Sequence, residues 1–240
     1  MNDDKDRRIQ FTDDLRIHRL LNGMWQVSGA HGPIDRPNAI QAMFAYHDAG
    51  FTTWDLADHY GPAEDFIGEF RRQLQAARGA GALADVQAFT KWVPQPAPMT
   101  SRVVEGAIGV SLRRMEVEAL DLLQFHWWDY GDDQYLAALE HLAQFQQAGK
   151  IKHLALTNFD TEHLQRILSH GITIVSNQVQ YSQIDRRPET RMAPLSQERQ
   201  VWLLTYGTLC GGLVRKISGP ARTGPVGTGN GQPQEIQADD

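Results

Sequence analysis

LNGMWQVSGAHGP, residues 21–33, opens as an apolar run suited to a β-strand and ends in a turn of small residues. A doubly wound dinucleotide-binding sheet would place a G-x-G-x-x-G turn directly after its first strand, opening into a helix. Ser28-Gly29-Ala30-His31-Gly32-Pro33 lacks that spacing and leads to no immediate helix. Six more apolar runs follow: FTTWDLA (51–57), VQAFTKW (86–92), LDLLQFHW (120–127), IKHLALTNF (151–159), IVSNQVQYS (174–182) and VWLLTYGTL (201–209). Between them the sequence predicts helices over Asn38–Ala49, Ala63–Ala77, Ser101–Met115, Gln134–Ala148, Glu162–Ser169 and a segment near Glu189–Arg199. Strands alternating with helices of this length form right-handed βαβ units and a parallel sheet. With the doubly wound alternative disfavoured, the expectation is a (β/α)8 barrel preceded by a small β-hairpin over Ile9–Leu20, turning at Asp13-Asp14.

Local signals support these elements. Thr100 or Ser101 is a good N-cap for the third helix, and Gly149 suits the C-terminal stop of the fourth. Tyr135, Leu136, Leu139, Leu142, Ala143 and Phe145 recur at roughly helical spacing. The 240 residues carry a formal net charge of −6, which argues against nucleic acid or an anionic membrane as the main partner. No run approaches the roughly 20 apolar residues of a membrane span. MNDDKDRRIQ (1–10) has no apolar centre, so it does not read as a secretory signal, and residues 1–8 are expected to be disordered. The lone Cys210 permits no disulfide within the chain and points to a reducing, cytoplasmic setting; it reads as a small buried residue.

The strand ends are where function is expected, since chemistry in a barrel sits at the carboxyl ends of its strands. WDLADHYG (54–61) places Asp55 at a strand end with Tyr60 on the loop above; Lys91 and His126 end the next two strands. A carboxylate, an ammonium, a phenol and an imidazole in one cleft can form a proton-transfer site. In it Asp55 would orient Lys91, Lys91 would favour the phenolate form of Tyr60, and His126 could position a carbonyl oxygen. Asp55 and Lys91 could equally be a structural ion pair. A metal site of Asp55, Asp58, His59 and His126 is disfavoured, because the spacing matches no standard signature and Lys91 would repel a cation. Trp25 and Trp127, just beyond strand ends, are candidates for the wall of an apolar substrate pocket.

D-x-A-x-x-Y-G at 55–61, followed by Glu64 and Gly68, resembles the aldo-keto reductase family. So do Lys91 and His126 at their strand ends, GKIKHLALTNF (149–159), NQVQYSQIDR (177–186) and LLTYGTLCGGL (203–213). The match runs from about Leu20 to Leu213 with every motif in family order. The resemblance implies a (β/α)8 barrel that binds NADPH or NADH without a metal and reduces a small aldehyde or ketone to an alcohol. It implies Tyr60 as general acid, Lys91 and Asp55 tuning it, and His126 orienting the substrate. Asn158 and Gln178 would hold the nicotinamide carboxamide, and Tyr206 would stack on its ring. Thr157 stands where many members have serine and keeps the hydroxyl. The Gly207–Leu213 loop, with Leu209, Gly211, Gly212 and Leu213, would approach the pyrophosphate through backbone N–H groups.

The resemblance fades after Val214. Arg215–Asp240 is rich in Gly and Pro without helical or strand period and is expected to be a disordered tail. GTGNGQ (227–232) is preceded by no strand and followed by no helix, so it is not read as a phosphate loop. The expected domain is therefore a barrel over 9–214 with its eighth βα unit missing. Such a chain would be a reductase with a degraded cofactor site or, alternatively, an impaired barrel serving as a binding or regulatory subunit or a non-functional gene product.

Overall fold

The computed structural model describes residues 7–30 and 32–209. The expectations for residues 1–6, for Cys210, Gly211, Gly212 and Leu213, and for the segment 215–240 fall outside them. The chain begins with the expected hairpin: β1 (Arg8–Gln10) pairs antiparallel with β2 (Arg16–His18), Ile9 opposite Ile17. Arg8 belongs to this hairpin rather than to the leading segment, pairing with His18 and reaching Asp85 at 3.3 Å.

Seven strands then form one parallel sheet in sequence order: β3 (Asn22–Gly23), β4 (Thr53–Asp55), β5 (Gln87–Trp92), β6 (Leu120–Phe125), β7 (Ile151–Thr157), β8 (Ser176–Gln180) and β9 (Trp202–Tyr206). The helices between them are α1 (Arg36–Asp48), α2 (Ala63–Arg78), α3 (Ser101–Arg114), α4 (Gln134–Gln147), α5 (Thr161–Ser169) and α6 (Met192–Arg199). Among the described residues β3 and β9 are the end strands and do not pair with each other. The fold is thus a (β/α)8-type barrel with seven of its strands in place, open between first and last.

The strand expected over 21–27 is much shorter. Only Asn22 and Gly23 pair with β4; Trp25–Val27 then winds into a 3₁₀ turn closed by Val27 N–H to the Met24 carbonyl. The apolar run misled because its residues serve a loop that packs under the next strand's loop. Gly61 shows how closely: its φ is +53°, and a Cβ there would lie 2.7 Å from the Ser28 carbonyl oxygen. Only glycine meets both demands cheaply.

Helix starts follow local chemistry. The Asp35, Thr100 and Asp160 side chains accept the N–H groups of Asn38, Val103 and His163, capping α1, α3 and α5. The segment near 189–199 resolves into a 3₁₀ turn (Arg187–Glu189) and the short α6. The main core lies between sheet and helices, with Phe66, Ile67, Phe70 and Leu74 of α2 and Tyr135, Leu139 and Leu142 of α4 fully buried.

A second, smaller core fills the barrel's interior. Phe89, Leu122, Ala155 and Leu204 point inward from β5, β6, β7 and β9, and Phe11, Leu15 and Ile17 of the hairpin plug the floor beneath them. The hairpin is tied to distant strands. His18 N–H donates to Thr53 Oγ1, Asp14 meets His153 at 3.1 Å, and Trp202 Nε1 donates to the Phe11 carbonyl at 2.7 Å. With the floor plugged by the hairpin, the end of the interior left for a site lies at the strands' carboxyl ends.

Candidate active site

Period-two alternation carries each inward strand from apolar floor to polar mouth: Phe89 to Lys91 on β5, Leu122 to Gln124 and on to His126 at β6, Ala155 to Thr157 on β7, Leu204 to Tyr206 on β9. Asp55, at the end of β4, is the hub. Its Oδ2 accepts from Lys91 Nζ at 2.6 Å, and its Oδ1 accepts from Gln124 Nε2 at 2.8 Å and Gln178 Nε2 at 3.0 Å. Lys91 is buried and also donates to the Leu56 carbonyl at 3.0 Å. Burial pushes its pKa down, and the Asp55 carboxylate opposes that.

Tyr60 stands on the loop above, its ring centroid 5.1 Å from Lys91 Nζ. Trp25 meets it edge-on at 5.1 Å and His59 at 4.8 Å. Its pKa is raised: burial is the largest cause, followed by the charge of Asp55, then Tyr206 and Asp58. The expectation that Lys91 favours the phenolate is outweighed here, because burial disfavours the charged form and the Asp55 carboxylate repels a phenolate. His126 is buried at the end of β6. Its Nδ1 lies 3.0 Å from the Thr157 carbonyl, and Trp128 meets its ring edge-on at 4.4 Å. Burial lowers its pKa, so the imidazole is neutral near pH 7.

Asp55, Tyr60, Lys91 and His126 thus share one mouth. Asn158 and Tyr206 meet at its far rim, where Tyr206 Oη donates to Asn158 Oδ1 at 2.9 Å. Asn158 has a left-handed backbone, φ +60°, which asparagine tolerates better than most residues. Gln178 is buried with its amide already on Asp55, and the Thr157 hydroxyl is buried against the Gln178 carbonyl at 3.5 Å. Gly207 has φ +65° and packs against the Gln180 side chain, while Leu209 is exposed. Tyr206 is partly buried, and Asn158 beside it is exposed.

Trp127 is placed differently from the expectation. Its ring is buried in the main core 6.0 Å from Phe125, and its indole N–H donates to the Asp129 and Asp132 carbonyls. The half-exposed Trp128 takes the position at the mouth instead. Two adjacent tryptophans on opposite sides of the chain could not be told apart by composition. Gln124 was also missed, although it sits two residues before His126 on the same strand face. Glu64 and Gly68 have a structural part: buried Glu64 accepts from Thr90 Oγ1 at 2.7 Å, and Gly68 lets α2 approach the Arg114 carbonyl. Among the described residues no three His, Cys, Asp or Glu side chains cluster as metal ligands would, and no helix is long and apolar enough to cross a membrane.

Known proteins resemble this chain in sequence and in fold. Aldo-keto reductase YhdN of Bacillus subtilis is 28% identical over 216 residues, covering 83% of this chain and 61% of YhdN. The NADH-specific methylglyoxal reductase of Escherichia coli is 23% identical over 227 residues, covering 85% of this chain and 67% of that protein. The chain thus spans roughly three-fifths to two-thirds of the length of these relatives. Among solved structures, the glycerol dehydrogenase AKR11B4 from Gluconobacter oxydans superposes with a TM-score of 0.75 at 24% identity, covering 92% of this chain and 69% of that one, a likeness of fold. The sequence profile of the aldo/keto reductase family matches residues 19–229, and the chain belongs to that family.

Proposed function

We propose that this chain carries the site of a nicotinamide-dependent carbonyl reductase, with Tyr60 as the proton donor to a small aldehyde or ketone. The observation that carries the reading is a partly buried phenol with a raised pKa, set over the Asp55–Lys91 pair at the mouth of the barrel. Such a phenol stays protonated throughout the neutral range and is available as a general acid. Lys91 and Asp55 form the charged pair at the mouth beneath it. Gln124 and Gln178 hold the Asp55 carboxylate so that it does not swing toward the phenol.

A reduced nicotinamide dinucleotide supplies the hydride when bound. Asn158 and Tyr206 would hold its nicotinamide, with the Gln178 amide beneath. Trp25 and Trp128, each a little under half exposed, would shield the reacting carbonyl from water. The proton leaves Tyr60 Oη for the carbonyl oxygen as the alcohol forms, and solvent reprotonates the phenolate after release.

The reading is tested by mixing the chain with NADPH or NADH and a small aldehyde such as methylglyoxal, and following loss of the reduced cofactor. Turnover with at least one cofactor is expected. Tryptophan fluorescence that does not respond to either cofactor, together with no turnover, would overturn it.

A further inference from the structure

Tyr130 lies outside every motif that marks the mouth, on the loop between β6 and α4 that also carries His126 and Trp128. Its hydroxyl crosses to the next loop and donates to the backbone carbonyl of Asn158 at 3.1 Å. Burial raises the pKa of this phenol, and the charge of Asp160 adds to the effect, so it keeps its hydrogen through the neutral range and acts as a donor. The ring is held flat. It stacks on His163 with centroids 3.9 Å apart and planes 16° from parallel, and Phe159 packs tilted at 5.5 Å. His163 is fixed in turn, its Nδ1 lying 2.7 Å and 2.8 Å from the two oxygens of Asp160, the carboxylate that caps α5. From Asp160 through His163 and Tyr130 the contacts return to Asn158, two residues before Asp160. The loop after β7 is thereby clamped onto the loop after β6.

Asn158 is a residue that such a clamp would hold to good effect. Its left-handed backbone, φ +60°, is a conformation that side chains other than glycine adopt at some cost. Its N–H donates to the Gln178 carbonyl at 2.8 Å, so Gln178 on one side and Tyr130 on the other pin its backbone. Its Oδ1 accepts from Tyr206 Oη. With Oδ1 engaged, the two Nδ2 hydrogens remain to donate to a ligand's carbonyl.

We propose that Tyr130 is a positioning residue for the cofactor, its hydroxyl fixing the Asn158 backbone and with it the direction in which the Asn158 amide meets a nicotinamide carboxamide. This rests on the carbonyl-reductase reading above. Relaxation of Asn158 out of its left-handed conformation would swing the amide and break the Tyr130 bond; the hydroxyl opposes that motion without touching the ligand. Because Tyr130 shares its loop with His126 and Trp128, the same clamp sets the spacing between the groups that face the substrate and the group that faces the cofactor.

Tyr130→Phe removes only the hydroxyl and keeps the ring on His163. Dissociation constants for NADP+ and NAD+ are read from tryptophan fluorescence, without turnover. For whichever dinucleotide the wild-type chain binds more tightly, Tyr130→Phe should weaken binding about fivefold, the loss of one neutral hydrogen bond. It should raise KM for the reduced form by a similar factor, with a smaller change in kcat. Asn158→Gly keeps the left-handed backbone accessible and deletes the amide. In that background Tyr130→Phe should cost nothing further, because no amide is left to aim. Unchanged affinity in Tyr130→Phe, or the same loss with and without the Asn158 amide, would overturn the inference and leave the reductase reading standing. A wild-type chain that responds to neither dinucleotide and reduces no aldehyde would remove the reductase reading and the positioning role with it.

Discussion

The two ends of the barrel interior are built from the same strands and obey different physics. At the floor, Phe89, Leu122, Ala155 and Leu204 meet Phe11, Leu15 and Ile17 of the hairpin in a dry apolar plug. Two residues further along β5 and β6, Lys91 and Gln124 point the same way into a cluster of buried charge and amide. The floor gains stability by keeping groups out of water. The mouth holds an ammonium and a carboxylate that lose hydration, and it offsets that loss with three hydrogen bonds to one carboxylate. One end of a strand can thus be optimised for packing while the other holds buried polar groups, because alternation aims both at the same axis without mixing them.

Substitutions at the two ends should separate stability from activity. The largest effect is expected from Tyr60→Phe. Carbonyl reduction should fall by roughly 10²–10⁴-fold, while the melting temperature and the fluorescence titration with cofactor stay near wild type. A Tyr60→Phe chain with ordinary turnover would break the assignment of the mouth. Leu122→Ala at the floor should do the opposite. It should remove about 4 kcal/mol of stability in urea unfolding and leave kcat per folded molecule unchanged; a matching loss of kcat would show that the floor and mouth are not separable.

Lys91→Met should lower stability by about 3 kcal/mol, because Asp55 is left without its cation. Adding Asp55→Asn should restore most of this, since a neutral side chain still accepts from Gln124 and Gln178, yet activity should not return. If the double variant is as unstable as the single one, charge is not what the Asp55–Lys91 pair contributes. The pH dependence sharpens the same contrast. Alcohol oxidation, the reverse reaction, needs the phenolate, and the Tyr60 pKa is raised chiefly by burial. Below a raised pKa the phenolate fraction grows about tenfold per pH unit, so the oxidation rate should climb without levelling up to about pH 10. Reduction, which uses the protonated phenol, should stay flat over the same range. The smallest effect belongs to Trp202→Phe, which removes the indole bond to the Phe11 carbonyl and should cost about 1 kcal/mol in unfolding, with no change in pH profile.

Much of this was legible in the chain because barrels write their order linearly. Six of the seven expected strand runs contain an observed strand of three to seven residues, and the hairpin turn at Asp13-Asp14 sits where the charge cluster placed it. The run at 21–27 failed because Met24, Trp25 and Val27 are apolar for a loop's reasons. That Asp55, Lys91 and His126 gather at one end of the sheet with Tyr60 on the loop above was readable from their strand-end positions, but the direction of proton affinity at Tyr60 was not. It depends on how far the ring is withdrawn from water and on the nearby charge of Asp55, neither of which a linear pattern encodes. Trp127 and Trp128 failed for a similar reason: which of two neighbours turns inward is settled by the carbonyls of Asp129 and Asp132.

The hairpin has a consequence for the order in which the molecule assembles. Its bond to Thr53 joins residues 35 apart in sequence, whereas the one from Trp202 joins residues 191 apart. Loop-closure entropy grows with the logarithm of the intervening length, so the second contact is harder to form by about 1.5 kcal/mol. The amino-terminal hairpin can therefore dock on β4 early but must wait for β9 before the plug is complete. In refolding, a fluorescence change that Trp202→Phe abolishes should be the slowest phase, and a chain caught before it would carry a mouth over an unsealed floor. The first residues described would then be among the last to find their final partners.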